Sequence, residues 1–224
     1  MVSCATASKY EAVTVTPEQA FQIVECLPLF ERTLLIVVAV TALRISEALG
    51  LRWSDIDWTN LLIHVRRAWK YGKLGEPKSK ASKHPVQMHE VLAATLQSWR
   101  RETPYAGEED FVFASARAHG TQPRLAGMIA QDYLRVHAVK LGIIAKDCPR
   151  FGFHNFRHSL ATFLVENGTD PVVVQRMLRQ SNVDTTMIYI HNAKKAREAQ
   201  GQFMNRFMPS GVKSGVSKDD NGCN

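Results

Sequence analysis

Apolar residues recur at helical spacing through most of the chain and fall into short β-rich runs in one stretch between them. Thr16-Pro17-Glu18 supplies an N-cap, a proline at the first helical position and an acid in the first turn, which predicts a helix to about Cys26. Pro28 opens a second helix. Its apolar residues Leu34, Leu35, Val37, Val38 and Leu43 cover most of the circumference, so it is expected to be buried on several sides. Ser46 is then expected to cap a short helical turn, SEALGL, ended by Gly50.

From Trp53 to Met88 the runs Leu62-Ile63-His64-Val65, Ala68-Trp69 and Pro85-Val86 are separated by turn chemistry at Gly72 and Gly75, which predicts a small antiparallel sheet. Helical spacing returns over Val91 to Arg101 and Ala126 to Leu141, with a short strand expected at Phe111-Val112-Phe113 between them. A nearly unbroken helical half starts at about Asn155. Within it Val172, Val173, Met177 and Leu178 form an apolar stripe, a turn follows at Ser181-Asn182, and Asp184 is placed to cap a helix carrying Tyr189. The order is helices, small sheet, helices, in one compact domain. Residues 1–13 carry no periodicity, and residues 209–224, rich in Gly, Ser, Lys and Asp, are expected to be disordered.

Composition narrows the picture only a little. The 224 residues are 45% hydrophobic, ordinary for a soluble globular chain. Lys and Arg number 28 against 21 Asp and Glu, a net charge of +7, which favours a polyanionic partner but is weak evidence alone. Cys4, Cys26, Cys148 and Cys223 show no pair at metal-ligand spacing and read as reduced, intracellular and incidental. The apolar stretch around Leu34 to Leu43 falls far short of the roughly 20 residues that span a bilayer, and no signal segment opens the chain.

Three clusters carry candidate chemistry. In TALRISEALGLRWSDID, Glu47 follows Arg44 by three residues, close enough to pair through a helical turn; by itself R-x-x-E is compatible with a structural ion pair. In FGFHNFRHSLATFLVENG, His154 and Arg157 are three apart, so the opening turn of one helix presents an imidazole and a guanidinium on one face. That face suits an anion: arginine offers a planar fork of donors, and the helix N-terminus adds partial positive charge. His154 and His158, four apart, could also be surface residues or a metal pair, but no third ligand accompanies them. In the third cluster, VQRMLRQSNVDTTMIYIHNA, Tyr189 taken alone would be assigned to a core.

R-x-x-E, then H-x-x-R about a hundred residues later, then T-T-x-x-Y-x-H, resembles the signature of tyrosine recombinases, the phage-integrase family, over roughly Thr14 to Phe207. The resemblance implies an α+β, mainly α-helical catalytic fold with a small three-stranded antiparallel sheet. It places an N-terminal extension at 1–13, the catalytic domain at 14–208 and a tail at 209–224, with the family's N-terminal helical domain absent. It implies that Arg44 and Arg157 clamp the scissile phosphate of double-stranded DNA, with Glu47 in support. Tyr189 would be the nucleophile, and His154 a base or hydrogen-bond partner for a phenol of pKa near 10. Lys78 falls where the family keeps a lysine that protonates the departing 5′ oxygen, with Lys80 as the fallback.

One departure stands out. Where the family shows Leu-Gly-His-Ser, this chain reads Leu178-Arg179-Gln180-Ser181, and Gln180 can donate a hydrogen bond to phosphate but carries no charge and moves no proton. His158 and His191 do not clearly fill the vacated position. The resemblance further implies no metal and no cofactor, a cytoplasmic, nucleoid-associated protein of bacterial or phage origin, and tetramers on paired sites, with residues 192–207 either docking on a neighbour or packing within the chain. A DNA-binding relative with weak or lost chemistry, and a type IB topoisomerase, are the alternatives.

Overall fold

The computed structural model describes residues 13–77 and 80–180. Helix α1 (Pro17–Cys26) begins as the sequence predicts, with Thr16 and Gln19 forming a reciprocal capping box. Helix α2 (Leu29–Thr41) takes Pro28 as its N-cap and packs against α1 and against two later helices, Glu90–Glu102 and Phe153–Glu166, with Leu34, Leu35, Val37 and Val38 fully enclosed. It stops where Ala42 turns left-handed, at φ 54°. Helix α3 (Ile45–Leu49) follows after an extended Arg44. The expected cap at Ser46 is corrected: Arg44 is the N-cap residue, and its N–H is satisfied by the Glu47 carboxylate rather than by a hydroxyl.

The β-rich stretch divides in two. Strands β1 (Ile56–Asp57), β2 (Leu62–Ile63) and β5 (Val86–Gln87) form the three-stranded antiparallel sheet in the order β1-β2-β5, pairing Ile56 with Ile63 and Ile63 with Val86. Strands β3 (Ala68–Lys70) and β4 (Lys73–Gly75) form a separate hairpin whose turn residues Tyr71 and Gly72 both have positive φ, the combination that suits a tight hairpin of right-handed twist. Gly75 therefore lies in a strand, opposite Ala68, and only Gly72 marks a turn. The hairpin packs on α3, and the approach at Gly50 leaves no room for a side chain: a Cβ there would lie 2.9 Å from the Arg67 carbonyl oxygen.

Helix α4 (Glu90–Glu102) buries Leu92, Ala93, Leu96 and Trp99. Phe111-Val112-Phe113 is buried, but the expected strand does not form: its ladder contact is an isolated bridge from Phe111 to Arg52. The Trp99 indole N–H donates to the Val112 carbonyl at 2.7 Å, and the Val112 N–H donates to Leu51 O beside the bridge, so Val112 is satisfied although no ladder extends past the single bridge. The helix predicted over 126–141 is continuous but composite: α5 (Ala126–Ile129), a π-helical turn (Ala130–Arg135) and α6 (Val136–Lys140).

Helices α7 (Phe153–Glu166) and α8 (Pro171–Met177) complete the described chain. Here the predicted stripe is corrected. Val174 and Leu178 are fully enclosed with Ala42 and Ala161, while Val172, Val173 and Met177 face outward, because the short helix turns only one residue per turn inward. The expected turn at Ser181, the helix bearing Tyr189, the segment 192–207 and the tail 209–224 lie outside the described residues.

Candidate active site

The α2–α3 junction, the start of α7, the end of α8 and the turn after the hairpin meet at one place. Glu47 is at its centre, with side-chain exposure of 1%. One carboxylate oxygen accepts from Arg44 Nη1 at 2.9 Å. The other accepts from the Arg44 backbone N–H at 2.9 Å and from Arg179 Nη2 at 2.6 Å. Burial works against the Glu47 charge, but the cations of Arg179 and Arg44 with these hydrogen bonds prevail and hold its carboxyl below the ordinary glutamate range. The pairing of Arg44 with Glu47 expected from spacing is present; the second arginine was not expected.

Arg179 is a site residue that the sequence reading missed. Its guanidinium is buried, donates to Ser82 O at 2.9 Å as well as to Glu47, and sits on a backbone of φ 49°. Burial lowers its pKa, against the pull of Glu47, and the like charge of Arg44 adds to the lowering. A signal was present in an arginine standing immediately before Gln180 in the departing segment, but its partner lies 132 residues away in sequence. Ser82, also missed, receives Arg44 Nη1 on its hydroxyl at 2.8 Å. It sits in the 3-10 turn Lys80–Lys83.

Arg157 rises from the first turns of α7 as predicted and is buried, donating to the carbonyls of Ala42 and Leu178. These two bonds join the end of α2 to the end of α8, and each flanks a residue of positive φ, Ala42 and Arg179. Arg44, with its side chain 27% exposed, is the more accessible of the two predicted clamp residues.

The opening of α7 is set by Asn155, whose Oδ1 accepts the Gly152 N–H at 3.0 Å and whose Nδ2 donates to Val13 O at 3.0 Å. His154, one turn before Arg157 on the same face, reaches solvent. Crowding by surrounding protein, then the charges of Arg157 and Arg44, push its imidazole below the ordinary histidine value, favouring the neutral ring at pH 7. His158 is lowered too, by burial and then by His154.

Gln180 follows directly on Arg179, with its backbone N–H donating to Gln175 O at 3.2 Å and its carbonyl accepting from Gln175 Nε2 at 3.3 Å. Lys78, Tyr189 and His191 lie outside the described residues; Lys80 opens the turn that carries Ser82. Beside His154 a cleft of about 650 Å³ is lined by Gln131, Arg135, Arg150, Gly152 and Asn155. Three arginines against one carboxylate leave a positive pocket, which is suited to an oxyanion that gains charge in a transition state. Among the described residues no three His, Cys, Asp or Glu converge as a metal site, and no helix is long and apolar enough to cross a membrane.

Comparison with known proteins places this geometry. The model of the phage integrase family matches residues 6–196. The tyrosine recombinase XerC of Xanthomonas axonopodis pv. citri is 34% identical over 169 residues, covering 74% of this chain and 48% of that protein. XerD of Neisseria meningitidis serogroup B is 31% identical over 163 residues, covering 73% and 50%. The chain thus spans about half the length of the curated relatives it matches. The Tn1549 transposon integrase in complex with a circular intermediate DNA superposes with a TM-score of 0.68 at 20% identity, covering 87% of this chain and 67% of that one. The XerA recombinase gives 0.63 at 24% identity, covering 86% and 66%. The fold is therefore that of the tyrosine recombinase catalytic domain.

Proposed function

The chain belongs to the phage integrase family, and from that premise we propose that it is the catalytic part of a site-specific DNA recombinase, working through a covalent bond between Tyr189 and a DNA 3′ phosphate. The observation that carries the reading is that α7 brings His154 and Arg157 within electrostatic reach of Arg44 from the α2–α3 junction, whose guanidinium is braced by the buried Glu47 carboxylate.

In this reading Arg44 and Arg157 hold the non-bridging oxygens of one phosphate and stabilise the charge that builds as phosphorus becomes five-coordinate. The Tyr189 oxygen attacks phosphorus, and its proton passes to neutral His154. The bond to the 5′ oxygen breaks, with Lys78 supplying the proton that this oxygen takes up. Gln180 donates its amide to a phosphate oxygen. Attack by the 5′ hydroxyl of another strand reverses these steps and frees Tyr189. One phosphoester is exchanged for another, so no external energy source is needed. The cleft with Arg135 and Arg150 beside His154 supports duplex DNA as the partner, held through neighbouring phosphates. Tetramers on paired sites and a cytoplasmic setting belong to the same proposal. The uncharged Gln180 favours one second reading, a relative that binds DNA without efficient cleavage.

The test is a suicide substrate, a nicked duplex from the flanking DNA whose cleaved fragment diffuses away, scored for protein joined to DNA on denaturing gels. Wild type is expected to form an adduct and Tyr189→Phe none. DNA binding without an adduct, even in a longer version of the protein, would refute the recombinase reading and favour the binding one.

A further inference from the structure

We propose that Arg179 is a positioning residue of this site: it takes up the Glu47 carboxylate from within, so that the charge of Arg44 stays available to a DNA phosphate, and it ties the turn after Lys78 to the same cluster. The proposal deepens the function above and rests on it.

Glu47 is held by two arginines that differ in access. The side chain of Arg179 is 3% exposed and that of Arg44 27%, so the inner cation can neutralise the carboxylate while the outer one faces solvent. With Glu47 and Arg44 alone, the pair would be electrically balanced and offer a phosphate little field; adding Arg179 leaves the trio with a net positive charge. Ser82 joins them through two different atoms, its hydroxyl to Arg44 and its carbonyl to Arg179, which fixes the turn four residues past Lys78.

The arrangement is costly, as expected of a device kept for its charge. Arg179 holds φ 49°, where any residue with a Cβ is disfavoured, and its buried Nε has no hydrogen-bond partner among the described residues. Its guanidinium is also kept charged against burial and the nearby Arg44.

The test compares wild type, Arg179→Met and Arg179→Met/Glu47→Gln for adduct formation on the suicide substrate at saturating protein, with the melting temperature and DNA dissociation constant of each. Uncovering Glu47 sets a negative charge against the phosphate, and the single variant is expected to slow adduct formation roughly 10- to 100-fold. The double variant is expected to recover most of the rate, since the introduced side-chain amide keeps an acceptor for Arg44 and carries no charge. A single variant within about threefold of wild type, or a double variant as slow as the single, would overturn the proposal; so would rates that follow the melting temperatures alone. If wild type forms no adduct, the proposed function fails, and the Arg179 claim is then read from DNA affinity at low salt. There, weakening in the single and restoration in the double support it, and equal affinities overturn it.

Discussion

Replacing Glu47 with alanine probes the packing of the site without reference to catalysis. The carboxylate is 1% exposed and is the charged partner that Arg179 meets among the described residues. Its removal leaves that guanidinium buried with the Ser82 carbonyl, a situation that costs about 3–5 kcal/mol. The Arg44 backbone N–H also loses its acceptor at the start of α3, about 1 kcal/mol by analogy with N-cap deletions. The Arg44–Glu47 pair itself, partly open to water, adds no more than about 1 kcal/mol. A total of about 4–7 kcal/mol is a large part of the 5–15 kcal/mol that typically holds a domain together. At roughly 2–4 °C per kcal/mol the melting temperature should fall by about 8–28 °C. Urea titration and thermal melting followed by circular dichroism at pH 7 give both quantities. A loss under about 1 kcal/mol would refute the reasoning, because it would mean that Arg179 finds equal solvation elsewhere. The pH dependence supplies a second check. The Glu47 pKa is lowered in the folded state, so its stabilisation is complete above the ordinary carboxylate value near 4.3 and is lost as pH falls through the lowered one. Glu47→Ala should therefore lose less stability on acidification than wild type does.

Arg157→Lys keeps the charge but cannot span the carbonyls of Ala42 and Leu178, so a stability loss of about 2–3 kcal/mol and a cleavage rate lower by roughly 100-fold are expected; an unchanged adduct rate would show that the planar fork is dispensable. Because His154 is pushed below the ordinary value near 6.5, a base role for it predicts adduct formation that is complete by pH 7 and falls on acidification through the lowered pKa. His154→Asn, which keeps a donor but does not titrate, should flatten that acid limb. A limb that persists in this variant would assign it to another group.

What the sequence determined by itself is local. The N-cap Thr16 and proline that start α1, the three-residue step that puts His154 and Arg157 on one face, and the step that pairs Arg44 with Glu47 all act within a turn of helix, where spacing alone fixes proximity. The last two steps, followed in order by T-T-x-x-Y-x-H, also carried the family resemblance. Tertiary structure decided what those steps face. The Arg179–Glu47 pair spans 132 residues, and nothing near Arg179 in the chain announces its partner. Phe111-Val112-Phe113 has a strand's composition, yet its pairing with the 51–53 segment stops at one bridge and the indole of Trp99 takes the Val112 carbonyl. The β-rich stretch carries no label saying that β2 pairs with β5 across an intervening hairpin. Val172, Val173 and Met177 have the hydrophobicity of core residues, and only the docking of α8 through Val174 and Leu178 turns them outward. Hydrogen-bond and helical periodicities reach a few residues, whereas burial and ion pairing depend on which surfaces meet, and that is settled by packing the whole chain.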